Sequence, residues 1–185
     1  MRPAAFLDRD GTVNVDTGYV GRAADVVLIP GAARAIRRLN AAGIPVVVVT
    51  NQSGLGRGLL RPEDYAAVRD RVAELLRDQG LGAHVDATYE CPHDPRLVEC
   101  ACRKPGTALF VRAARDLDLA LDRSWYVGDR WRDVAPALAL GGHGVLVPSA
   151  GTPDDDLRTA RERVLVVDTL GEAVDAALAS LASVR

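Results

Sequence analysis

Hydrophobic positions along the chain alternate between short extended runs and longer stretches at helical spacing. Pro3 to Leu7 reads as a short buried strand. Ile44-Pro45-Val46-Val47-Val48-Val49 is an unbroken aliphatic run of the kind buried on both faces of a central parallel strand. Further strands are expected over Asp86 to Glu90, Ser124 to Val127, Gly144 to Val147 and Val164 to Val167. Between them, three groups recur at helical intervals: Ala33, Ile36 and Leu39; Tyr65, Val68, Val72 and Leu75; Leu109, Ala113 and Leu117. A helix also begins near Pro136, where a missing N–H does little harm, and another through Ala173 to Leu181 closes the chain. Strand and helix patterns alternating from end to end predict an α/β fold, a doubly wound parallel sheet covered by helices on both faces.

Composition narrows the class without naming a chemistry. The 185 residues are 48% hydrophobic, enough for one sizeable core, and neither a repeat nor a linker interrupts them, so 1–185 is expected to be a single domain. Lys and Arg number 23 against 25 Asp and Glu, a formal charge of −2 that advertises no nucleic-acid surface. No apolar stretch is long enough to span a bilayer and no leader pattern is visible, so a soluble, cytoplasmic protein that does not bind membranes is expected, as a monomer.

Polar clusters fall directly after the strands: Asp8 and Asp10, then Thr50-Asn51-Gln52-Ser53-Gly54, then Gly128-Asp129. In open parallel sheets the carboxyl ends of the strands form the ligand crevice, so these distant segments should converge there. Extended alternation would put Asp8 and Asp10 on one side, and Gly11 would let the chain turn. Two carboxylates so close must take up a proton or share a cation, for which Mg²⁺ suits hard oxygen ligands. All three cysteines lie within Cys91-x-His93-x₆-Cys100-x-Cys102, a set of three thiolates and an imidazole that suits a closed, structural Zn²⁺ site. A disulfide would leave one thiol over, and Cys100 and Cys102 are close for an unstrained bridge. His84 and His143 lack partnered motifs and read as structural or exposed; Trp125 reads as core, and Trp131 as a neighbour of the site beside Asp129.

The ordered set Asp8-Arg9-Asp10-Gly11-Thr12, Thr50, Lys104 and Gly128-Asp129 with Asp133 resembles the haloacid dehalogenase superfamily of phosphohydrolases. The resemblance implies a Rossmann-like sheet and assigns Asp8 as nucleophile, forming an aspartyl-phosphate, and Asp10 as general acid and base. It gives Thr50 and Lys104 to the phosphoryl oxygens, with Mg²⁺ held by Asp8, Asp10 through its backbone carbonyl, and Asp129, while Asp133 orients the metal shell. Cys-Pro-His followed by Cys-x-Cys-Arg-Lys-Pro, with Asp8 to Asn14, Thr17-Gly18-Tyr19-Val20 and Thr50 to Gly54, is similar to the D-glycero-D-manno-heptose-1,7-bisphosphate 7-phosphatase family, whose close relatives are histidinol-phosphate phosphatases. That likeness implies a small phosphorylated sugar as substrate, no large cap domain, and a zinc loop over 91–105. It implies substrate contacts from Arg9, Thr17, Gly18, Tyr19, Val20, Asn51, Gln52, Ser53, Arg103 and Arg130. Arg130 and the short zinc loop depart from the usual pattern. A phosphoryl-receiver module also combines such a sheet with clustered Asp, Thr and Lys, and Asp10 is the residue that separates the two readings.

Overall fold

The computed structural model describes residues 1–182 of the 185. Strands β1 (Ala5–Leu7), β2 (Val46–Asn51), β3 (Ala87–Cys91), β4 (Trp125–Gly128), β5 (His143–Leu146) and β6 (Leu165–Val166) form one parallel sheet in the order β3-β2-β1-β4-β5-β6. Every expected strand is present within a few residues. The order reverses beside β1, which puts the topological switch point where the first acidic motif leaves the sheet.

Alternation along the strands explains why they are apolar throughout. Ala5 and Leu7 of β1, Val46 of β2 and Trp125 and Val127 of β4 face one helix layer. That layer is built from α1 (Ala32–Ala41), α3 (Pro62–Gln79) and α8 (Leu170–Ala182). Phe6, Val47, Val49 and Tyr126 face the other way, onto α4 (Ala108–Leu117) and α6 (Pro136–Leu140). On that face Phe6, Phe110 and Tyr126 pack with ring centroids 5.1–5.3 Å apart, locking β1, β4 and α4 together just beneath the strand ends.

Three details differ from the sequence reading. The buried stripe of α3 is Tyr65, Val68, Val72 and Leu76, with Leu75 only partly covered, because 11 residues over three turns fit the 3.6-residue period of the helix better than 10. Helix α7 (Asp154–Arg163) was not expected: its residues are mostly charged and Ala160 is its buried member. Acids in its first turn and arginines in its last complement the helix dipole, and Leu157 and Ala160 seat it against Val134 and Leu146. Trp131 packs into this same group and gives its backbone N–H to Asp156, so it faces α7 rather than the crevice. Trp125 is buried as expected, with the exposed His143 stacked on it at 5.4 Å, and His84 is exposed. Among the described residues, no helix is long and apolar enough to cross a membrane.

Candidate active site

Strand register sets the site. Leu7 lies opposite Val48 in β2 and Val127 in β4, so the residues that follow, Asp8, Thr50 and Asp129, emerge side by side at the carboxyl edge. Asn51 pairs with Cys91 of β3, so the zinc loop leaves the sheet beside the end of β2 and returns Lys104 to it. Asn51 fastens that return: its amide donates to the Lys104 carbonyl at 3.2 Å and accepts the Lys104 N–H at 3.0 Å.

Lys104 is buried, and its ammonium meets Asp8 Oδ1 at 2.6 Å, the Val49 carbonyl at 2.6 Å and Asp133 Oδ1 at 2.7 Å. Burial alone would lower its pKa; Asp133 and Asp8 overturn that and leave it raised. Burial pushes Asp8 up to about 7, with Lys104 opposing and Asp133 and Asp10 adding to the rise. Burial also raises Asp129, against a 2.6 Å hydrogen bond from the Ser149 hydroxyl. Oxygens of Asp8, Asp129 and Asp133 all lie within 4.8 Å of one another. Burial disfavours the ionised forms of Asp8 and Asp129 here, and an all-oxygen set so closely grouped fits Mg²⁺. Gly11, at φ +95°, borders the group; a Cβ there would stand 2.4 Å from Asp129 Oδ2, so glycine is required both by conformation and by space. Gly128 is equally confined, by the Cβ of Asp133.

Asp10 is placed differently from the simple alternation expected. The strand ends at Leu7, and the Asp10 carboxylate lies outside the three-carboxylate group, leaving Asp133 as its third member. Four N–H groups hold it: Arg9 Nε at 3.1 Å and Nη2 at 2.8 Å, Asn14 Nδ2 at 2.9 Å and Gln52 Nε2 at 2.8 Å. The same Gln52 nitrogen donates to Thr50 Oγ1 at 2.9 Å. With its oxygen already accepting, the Thr50 hydroxyl is left to donate its proton outward. Neither Asn14 nor this Gln52 bridge was legible as a link to Asp10 from sequence, because both depend on side chains brought together by turns.

Asp8, Asp10, Thr50, Asn51, Gln52, Ser53, Gly18, Tyr19 and Arg103 line one cleft of about 320 Å³, joined by Asp16 and Arg132, which the sequence reading had not singled out. Other expected contacts lie elsewhere. Arg9 is 2% exposed, its guanidinium bonded to Asp10 through Nε and Nη2, with Nη1 buried and unpartnered, and lying 5.2 Å from the Tyr65 ring. Val20 is buried in the core, and Thr17 is exposed outside the cleft lining. Arg130 lies against Gly151, with Nε 3.5 Å from Asp129. Tyr19 leans on Gly54, under the guanidinium of Arg57, which also reaches its hydroxyl.

In the second cluster, Cys91 Sγ lies 3.2 Å from Cys102 Sγ and 3.6 Å from Cys100 Sγ, and Cys100 and Cys102 are 3.4 Å apart. His93 Nδ1 stands 3.1 Å from Cys102 and 3.7 Å from Cys91. A tetrahedral zinc with bonds of about 2.3 Å to sulfur has edges of about 3.8 Å, so the four atoms are nearly at the spacing the ion imposes. Burial, then the contact with Cys102, pushes Cys91 up to about 12, and a thiolate there calls for a cation among the sulfurs. The loop docks on α2 (Ser53–Gly56): the Gly56 N–H bonds the Pro92 carbonyl at 2.8 Å.

Fold and site define a phosphatase of the haloacid dehalogenase type, with the Asp8-to-Thr12 motif directly after β1 and no domain inserted between β1 and α1. The family model described as "Haloacid dehalogenase-like hydrolase" matches residues 5–60, and that described as "HAD-hyrolase-like" matches residues 101–173. The D-glycero-D-manno-heptose-1,7-bisphosphate 7-phosphatase of Thermosynechococcus vestitus is 40% identical, over 96% of this chain and 94% of that one. The D-glycero-beta-D-manno-heptose-1,7-bisphosphate 7-phosphatase of Rhodopseudomonas palustris is 37% identical, over 89% and 91%. The crystal structure of D,D-heptose 1,7-bisphosphate phosphatase from B. bronchiseptica, complexed with magnesium and phosphate, superimposes with a TM-score of 0.86 at 34% identity, covering 97% of this chain and 99% of that one. This chain belongs to the D-glycero-D-manno-heptose-1,7-bisphosphate 7-phosphatase family.

Proposed function

We propose that the protein is a Mg²⁺-dependent phosphomonoesterase that removes the 7-phosphate of D-glycero-D-manno-heptose 1,7-bisphosphate, with a structural Zn²⁺ in the 91–105 loop, acting as a cytoplasmic monomer. The observation that carries it is that Asp8, Asp10 and Thr50 line one cleft, with the buried Lys104 ammonium against Asp8, in a chain whose relatives bear that activity in their names. Thr50 and Lys104 bind the phosphoryl oxygens; Asp8 attacks phosphorus as the P–O bond to C7 breaks, and Asp10 gives its proton to the leaving oxygen. Asp10 then takes a proton from the water that attacks the phosphorus of the aspartyl-phosphate, and Asp8 and inorganic phosphate are released. Held by the Asp8, Asp129 and Asp133 group with the Asp10 carbonyl, Mg²⁺ would supply the positive charge that lets one anion approach another. Four N–H donors hold the Asp10 carboxylate beside Asp8 at the cleft, and a receiver module has no use for an acid and base there.

The test is phosphate release from both heptose 1,7-bisphosphate anomers and from histidinol phosphate. The heptose substrates should be strongly preferred, and Asp10→Asn should abolish release. A preference for histidinol phosphate, or unchanged release by Asp10→Asn, overturns the assignment. Metal analysis should find one zinc per chain, lost in Cys100→Ser.

A further inference from the structure

Two arginines reach the cleft from opposite sides of β1: Arg103 from the end of the zinc loop, on the β3 side, and Arg132 from α5 (Trp131–Val134), which follows β4. Arg132 has few claims on it. Its Nε lies 4.0 Å from Asp133 Oδ1, beyond hydrogen-bond reach, and that oxygen is already held by Lys104 at 2.7 Å. Its side chain is 47% exposed, whereas neighbouring Arg130 is 22% exposed and lies against Gly151 and Asp129. Across the cleft, Arg103 Nη1 is buried with no hydrogen-bond partner. Asp8, Asp10 and Thr50 line this cleft as the groups given to the reacting phosphate, so a second phosphate on the same substrate must sit clear of them.

We propose that Arg132 grips the non-reacting phosphate of a sugar bisphosphate, opposite Arg103, and so selects bisphosphates over monophosphates. A guanidinium suits this task, since its planar fork of donors matches two phosphate oxygens at once. The proposal deepens the reading above and names a specificity residue that Asp8 chemistry alone does not require.

The test measures competition by fructose 1,6-bisphosphate and by fructose 6-phosphate against turnover of para-nitrophenyl phosphate, in wild type, Arg132→Ala and Arg132→Lys. For wild type the bisphosphate should bind about 10- to 100-fold more tightly, the scale of one or two charge-assisted contacts. Arg132→Ala should bring the two inhibitors within roughly threefold of each other, and Arg132→Lys should keep part of the gap, since a point charge replaces a fork. An equal gap in Arg132→Ala, or no gap in wild type, overturns the proposal. Failure of the heptose assignment is separately visible: wild type would then turn over heptose bisphosphate no better than other sugar bisphosphates, while the Arg132-dependent gap persisted.

Discussion

Replacing Lys104 by Met tests whether the ammonium is what makes the acidic cluster tolerable. The change keeps the length of the side chain and removes three short contacts, to Asp8, Val49 and Asp133. Two carboxylates, both buried, then lose their cation while staying in place. Breaking a buried pair from one side costs about 3–5 kcal/mol, because the partner is left uncompensated. For a chain of this size each kcal/mol moves Tm by about 2–4 °C, so a drop of roughly 10 °C is expected in chelator by differential scanning calorimetry. The loss should shrink at low pH, where Asp8 takes up a proton, and Mg²⁺ should recover part of it. Turnover should fall about 10²–10³-fold, the effect of removing one donor to a developing anion. A Tm in chelator within 2 °C of wild type (about the width of a surface substitution) would refute the electrostatic account of this cluster.

A related expectation concerns pH. Asp8 is raised by burial to about 7, so the folded chain holds a proton that the unfolded chain gives up near pH 4, and stability in chelator should fall as pH rises from about 4 to about 7, by up to the order of 4 kcal/mol. The Tm gained from saturating Mg²⁺ should accordingly be larger at pH 8 than at pH 5; an equal gain at both would contradict it. Gly11→Ala forces a Cβ to 2.4 Å from Asp129 Oδ2 at a left-handed backbone, and calorimetric titration should show Mg²⁺ affinity lowered at least about 10-fold. Gln52→Leu removes the donor shared by Asp10 and Thr50 and should lower kcat about 10- to 100-fold with the circular dichroism unchanged; kcat within twofold of wild type would make the bridge incidental.

Much of the fold was readable beforehand. Ile44 to Val49 is apolar at every position because alternate residues face helices on opposite sides, and only a central parallel strand asks for that. Helix α7 carries no such signal, since one buried alanine among charges leaves no apolar period. The Asp-x-Asp-Gly-Thr motif, Thr50, Lys104 and the Cys/His spacing were likewise visible, because chemistry of this kind restricts residue type. Their partners were not. That Arg9 folds back on its neighbour Asp10 instead of facing substrate depends on the turn after β1, and that Asn51 clamps Lys104 depends on side chains 53 residues apart in the chain.

The positions of the strands along the chain, the alternation of their faces and the identity of the reactive groups therefore belong to the sequence itself, since local periodicity and residue chemistry are written position by position. Which carboxylate faces a cation, which is tied down by N–H donors, and which of Arg9, Arg130 and Arg132 opens onto the cleft were decided only in three dimensions. Charge and hydrogen bonding act through distance and burial, and neither quantity exists until the register of β1, β2 and β4 has brought their ends together.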